Sequence, residues 1–117
     1  MQLAGTHGHQ WLENGNLVVF LAGIGTGNFG EPDPVVEYSF DGSVASSNAH
    51  LEWFYLETES SVILGDVERL SRGNTLITYS ATGIIQEVTP EKALVQSLSG
   101  PSFGYSSFRK TLYGPPQ

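Results

Sequence analysis

The chain has no cysteine, a single methionine and only five basic residues. Without cysteine there is no disulfide frame, no thiolate nucleophile and no sulfur-ligated metal. The five Lys and Arg, all between Arg69 and Lys110, stand against twelve Asp and Glu, for a net charge of −7. That balance argues against a surface tracking phosphates, so neither nucleic acid nor an anionic membrane is an expected partner. No apolar run approaches the ~18 residues of a membrane span. The opening Met1-Gln2-Leu3-Ala4-Gly5-Thr6 lacks a cationic stretch followed by an apolar one. No signal peptide is therefore read, and the chain is expected to be soluble and cytoplasmic by default. Also missing are a G-x-S-x-G elbow, an H-E-x-x-H helix and a Gly-rich phosphate loop with its Lys, which moves the reading away from hydrolases and nucleotide enzymes. Helical periodicity is absent as well. The one arguable stretch, residues 48–58, carries Trp53-Phe54-Tyr55 and no cap pattern, and so reads as strand.

What is present is a phrase said twice. Leu12-Glu13-Asn14-Gly15-Asn16 returns as Leu70-Ser71-Arg72-Gly73-Asn74, 58 residues later, each copy followed by a β-rich run. Glycine beside Asn supplies the positive-φ positions that tight β-turns need, so both copies predict hairpins. Downstream, Val35 to Asp41 matches Ile85 to Glu91 at a spacing of only 50, which places eight extra residues of the first copy between Gly23 and Pro34. Strands are predicted at 7–13, 16–22, 35–41, 43–46, 50–56, 61–70, 75–80, 83–88 and 93–98, parted by Gly, Asn, Asp, Ser or Pro. Residues 17–22 are apolar on both parities, as in a strand buried on both faces. Val36, Tyr38 and Phe40 alternate with Glu37 and Ser39, as in a half-exposed one.

The length is that of one domain, read as all-β over 1–117: repeat one at about 7–46, an outer strand at 50–56, repeat two at about 65–98 and a tail at 99–117. Four antiparallel strands recurring at such a period is the pattern of propeller blades, which bury their faces against neighbouring blades. Two blades leave two outward faces, expected to include Val36, Tyr38, Ile77 and Tyr79, and self-association is the available cover. Three copies would complete six blades, with a face-to-face dimer as runner-up. The alternative is a self-contained β-sandwich or barrel.

Residues 67–78, followed by Gly83-Ile84-Ile85-Gln86-Glu87-Val88-Thr89-Pro90 and preceded by Gly65-Asp66, resemble the repeat of the arylsulfotransferase-like β-propellers. The tail from Gly104 to Pro116 is similar to the way such propellers end, and His7 to Asn16 resembles the family strand that opens with His and runs to Leu-x-Asn-Gly-Asn. The resemblance covers most of the chain and implies about the last two blades of a six-bladed propeller. It also implies a central channel that binds an aryl sulfate, and a His that takes up the sulfuryl group before passing it to a phenol. His7 is the match for that His.

Imidazole suits such chemistry, being largely unprotonated near neutral pH, with a second His or an Arg to neutralise the oxygens in flight. The catalytic candidate is therefore His7, with His9, two residues on and expected on the same strand face, and Arg109 as ligand-binding candidates. The other reading of all three is exposed polar surface, with Arg109 in an ion pair. His50 reads as structural. Residues 25–30 spell G-x-G-x-x-G after a strand, but Glu31-Pro32-Asp33-Pro34 follows and cannot open a dinucleotide-binding helix. Because this loop coincides with the insertion, Gly25, Gly27 and Asn28 are ligand-binding candidates, against a bare surface loop. Glu31 and Asp33 are too few oxygens for Ca²⁺, and Glu57 and Glu59 read as a solvated turn. No cofactor and no metal is expected. The functions in view are a homo-oligomeric binding module for a protein or a small aromatic or sulfated ligand, without turnover, and a sulfuryl-transfer enzyme assembled from several chains.

Overall fold

The two copies of the repeated phrase form the same turn. Leu12 N–H donates to Asn16 O at 2.8 Å and Gly15 N–H to Leu12 O at 2.9 Å; Leu70, Asn74 and Gly73 reproduce both bonds at 2.8 and 2.9 Å. Gly15 and Gly73 have φ of 87° and 95°, the left-handed conformation that favours glycine. The side chains repeat too: Asn16 Nδ2 donates to Glu37 Oε1 and Asn74 Nδ2 to Glu87 Oε1, both at 2.7 Å.

The computed structural model describes residues 6–22, 32–42, 48–56, 61, 64–104 and 106–108. It is all-β, with no helix among the described residues. The strands are β1 (Thr6–Trp11), β2 (Leu17–Leu21), β3 (Val35–Asp41), β4 (Asn48–Tyr55), β5 (Gly65–Arg69), β6 (Thr75–Tyr79), β7 (Ile84–Val88) and β8 (Leu94–Ser99). They make two antiparallel four-stranded sheets in sequence order, β1-β2-β3-β4 and β5-β6-β7-β8, and neither closes into a barrel. The strand expected over 61–70 is confined to Gly65–Arg69, while the one expected at 43–46 lies outside the described residues. The insertion falls as expected: the connection from β2 to β3 spans 22–34, its counterpart only 80–83.

The main core lies between the sheets. Val18, Phe20, Val35 and Tyr55 of the first meet Val67, Ile77, Tyr79 and Val88 of the second, and the Phe20 and Tyr79 rings pack edge to face at 5.7 Å. Ile77 and Tyr79, expected on an outward face, are fully buried here. Leu17, Val19 and Val36 form a separate cluster on the opposite face of the first sheet, flanked by Leu21, Tyr38 and Phe40. β2 is thus buried on both parities, as its composition requires.

β3 runs opposite to the usual polar-out arrangement. Its apolar side faces away from the second sheet, and Glu37 points between the sheets with 7% of its surface exposed. The reason is Arg69 of β5, whose guanidinium meets Glu37 Oε2 at 2.9 Å. Arg69 Nε donates to Thr75 Oγ1 at 2.9 Å, and the guanidinium carbon lies 5.2 Å from the Trp53 ring centroid. Trp53 Nε1 in turn donates to Pro90 O at 2.8 Å, so one ionic clamp joins β3, β4, β5 and the β7–β8 turn.

The sheets approach closely where β1 passes β5. A Cβ on Gly65 would run into the Phe20 ring, and one on Gly8 into Asp66. Gly8 has φ of 61° and sits in a β-bulge between Thr6 and His9. Beyond β8 the chain folds back as a strap over the far face of the second sheet. Phe103 N–H donates to Ser80 O at 3.1 Å, Ser80 Oγ to Gly104 O at 2.9 Å, Ser106 meets Thr78 through their hydroxyls, and Phe108 N–H reaches Glu68 Oε2 at 3.2 Å.

Candidate functional site

The inner edge, where β1, β5 and the strap converge, gathers the chemistry-bearing side chains. His9, Gln10, Asp66, Glu68, Ser106 and Ser107 line a hollow of about 410 Å³. A smaller one of about 100 Å³ is lined by His7, Gly8, Gly65, Ser80 and Gly104. Strand alternation would put His7 and His9 on one face, but the bulge at Gly8 intervenes and the two imidazoles line different hollows. His7 is half-buried and His9 exposed.

Asp66 and Glu68 alternate along β5 with Val67, whose side chain enters the core, so both carboxylates point away from it toward the strap. Burial pushes the Asp66 carboxyl above its ordinary value, with the Val67 N–H and the charge of a protonated His9 pulling the other way. Burial also raises Glu68, opposed by the Phe108 N–H and reinforced by the charge of Asp66. The hollow is therefore acidic, and its carboxyls hold protons more readily than exposed ones do. A negatively charged sulfuryl group meets repulsion here, whereas a cation or a hydrogen-bonding neutral group is favoured.

Of the remaining candidates, Gly25, Gly27, Asn28 and Arg109 lie outside the described residues, as do Glu31, Glu57 and Glu59. Asp33 is fully buried and accepts from the Ser61 N–H through Oδ2 at 2.6 Å, and Ser61 Oγ accepts from the Ala81 N–H at 2.8 Å. Its position ties three connections together instead of facing solvent. His50 sits at the exposed end of the first sheet, 3.2 Å from Asp41 Oδ2. Among the described residues no group of three or more His, Asp or Glu is placed to hold a metal ion, and no helix is long and apolar enough to cross a membrane.

Sequence reasoning missed Asp66 and Glu68 as parts of the site. The signal was available in the repeat, since Glu68 is the counterpart of Gln10, one strand away in the same hollow. Searches of family models, curated proteins and solved structures found no match to the chain.

Proposed function

We propose that the chain is a self-associating, propeller-like binding module without enzymatic turnover. The observation that carries this reading is the apolar rim on the far face of the first sheet: Leu17, Val19 and Val36 are buried there beneath Tyr38 and Phe40, while Trp11, beside Phe40, is 63% exposed and Leu51 55% exposed. Large apolar side chains left exposed together on one face are a surface for association, and a second copy of the chain supplies a matching one. Three chains closed head to tail, making six blades, require the strap to leave the second sheet, because β1 of the next copy would take its place. Carboxylates beside His9 oppose its use as the second group that neutralises a sulfuryl group's oxygens, which favours ligand binding over sulfuryl transfer.

Sedimentation at micromolar concentration tests the association. A dimer or trimer that dissociates on Trp11→Glu and Tyr38→Glu substitution is expected, and a well-folded monomer would overturn it. The enzymatic alternative has its own assay. A chromogenic aryl sulfate with a phenol acceptor is expected to yield no more phenol than a His7→Ala control.

A further inference from the structure

The strap repeats the docking of β5. On the first sheet, Gln10 Oε1 accepts from the Arg69 N–H at 2.6 Å; on the second, Glu68 Oε2, at the repeat-equivalent position, accepts from the Phe108 N–H at 3.2 Å. β5 runs from Gly65, against Phe20, to Arg69, against Gln10. The strap runs the same way, from Gly104 at Ser80 to Phe108 at Glu68. Gly104 and residues 106–108 thus stand to the second sheet as residues of β5 stand to the first, and Phe108 occupies the place of Arg69.

That equivalence leaves one seat of the clamp without a cation among the described residues. Glu37 is held by Asn16 through Oε1 and by Arg69 through Oε2. Its counterpart Glu87 is held by Asn74 through Oε1 at 2.7 Å, but among the described residues Oε2 takes only the exposed Gln96 amide, also at 2.7 Å. Phe108, at the Arg69 position, brings no charge. Beside it is a hollow of about 450 Å³ lined by Leu70, Arg72, Asn74, Glu87, Val95 and Phe108. Aliphatic walls, an aromatic ring and a carboxylate fixed by an amide are what a planar guanidinium uses, through a charge-assisted hydrogen bond and stacking. Arg72, whose counterpart in the first repeat is Asn14, lies exposed at the rim and opposes a cation from outside.

The geometry points to the Glu87 hollow as a binding site for a guanidinium group, the side chain of an arginine on a polypeptide. The site is separate from the exposed apolar rim of the first sheet, on which the proposed self-association rests. The test is an NMR titration of the full chain at neutral pH and low salt with N-acetyl-arginine amide, with N-acetyl-lysine amide and free arginine in parallel. Saturable shifts around Asn74, Glu87 and Val95 are expected, at least fivefold weaker for the lysine compound and in Glu87→Gln, and severalfold tighter in Arg72→Asn. Tighter binding of the amide than of free arginine assigns a side chain, and the reverse assigns the free amino acid; both retain the guanidinium site. Phe108→Arg offers an independent readout: it should fill the seat from within, abolish ligand binding and raise the thermal midpoint only while Glu87 is present. Equal response to the lysine compound, binding undiminished in Glu87→Gln, or no Glu87-dependent rise in Phe108→Arg would overturn the assignment.

Discussion

Replacing Arg69 by Met should be the most informative single perturbation of the sheet-to-sheet contact. Methionine keeps most of the aliphatic stem that packs near Trp53 but removes the partner of Glu37, a carboxylate whose side chain is only 9% exposed. Breaking a buried pair by removing one partner costs about 3–5 kcal/mol, because the other charge stays behind uncompensated. Two features place this case toward the lower end: the Arg69 side chain is 20% exposed, and Asn16 still serves one Glu37 oxygen. Loss of the cation–π contact contributes roughly a further 0.5–1 kcal/mol. The expected destabilisation is about 3.5–4 kcal/mol, a fall of roughly 14–16 °C in the midpoint for a domain of this size. Urea denaturation at fixed protein concentration measures it, since association would otherwise shift the apparent stability. Adding Glu37→Gln removes the stranded charge and should restore most of the loss. A single variant that loses less than about 1 kcal/mol, or a double variant no more stable than the single, would refute the clamp as the element that draws Glu37 inward.

The two turns should respond alike, each losing about 1–2 kcal/mol on Gly→Ala in thermal unfolding. Gly15, with nothing within 4 Å of an added Cβ, isolates the conformational cost, and a neutral result there would contradict its positive φ. Gly65→Ala should cost on the order of 1–3 kcal/mol by pressing on the Phe20 ring, with partial recovery on Phe20→Leu; a tolerated alanine would mean that the sheets are not locked at this point. Asp66→Asn should stabilise the protein at neutral pH. The folded carboxyl is raised above its ordinary 3.8, so wild type is favoured at low pH and loses that stability as pH rises through the folded value. The advantage of the Asn variant should therefore shrink as pH falls toward 3.8, and an advantage independent of pH would point to another cause.

Most of the fold was legible because glycine and asparagine punctuate it. The two turns, the unequal connections after β2 and β6 and the double burial of β2 all follow from residue types with narrow physical uses. The orientation of β3 was not, because alternation reports only that one side is apolar; which side faces the neighbouring sheet depended on Arg69, 32 residues downstream of Glu37. The site divided for a similar reason. A bulge at Gly8 intervenes between His7 and His9, and a lone glycine between two histidines does not announce a bulge in advance. Ile77 and Tyr79 were set on the wrong face because their strand, Thr75-Leu76-Ile77-Thr78-Tyr79, carries threonine and apolar residues on both parities and so marks neither side as the inner one. The equivalence of Phe108 and Arg69 leaves no trace in side-chain type and appears only in what their backbones bond to.

The sheet order also sets the course of folding. Every strand in each sheet pairs with its immediate neighbour in sequence, so each four-stranded meander closes loops only between consecutive strands and can gain its hydrogen bonds early. The step that needs distant residues is the docking of one meander on the other, where Gly65 must slide beneath Phe20 and Arg69 must find Glu37. Refolding would then divide into a fast phase that forms strands and a slower one that expels water from between them. Substitutions in the turns would act on the first rate, those at the clamp on the second.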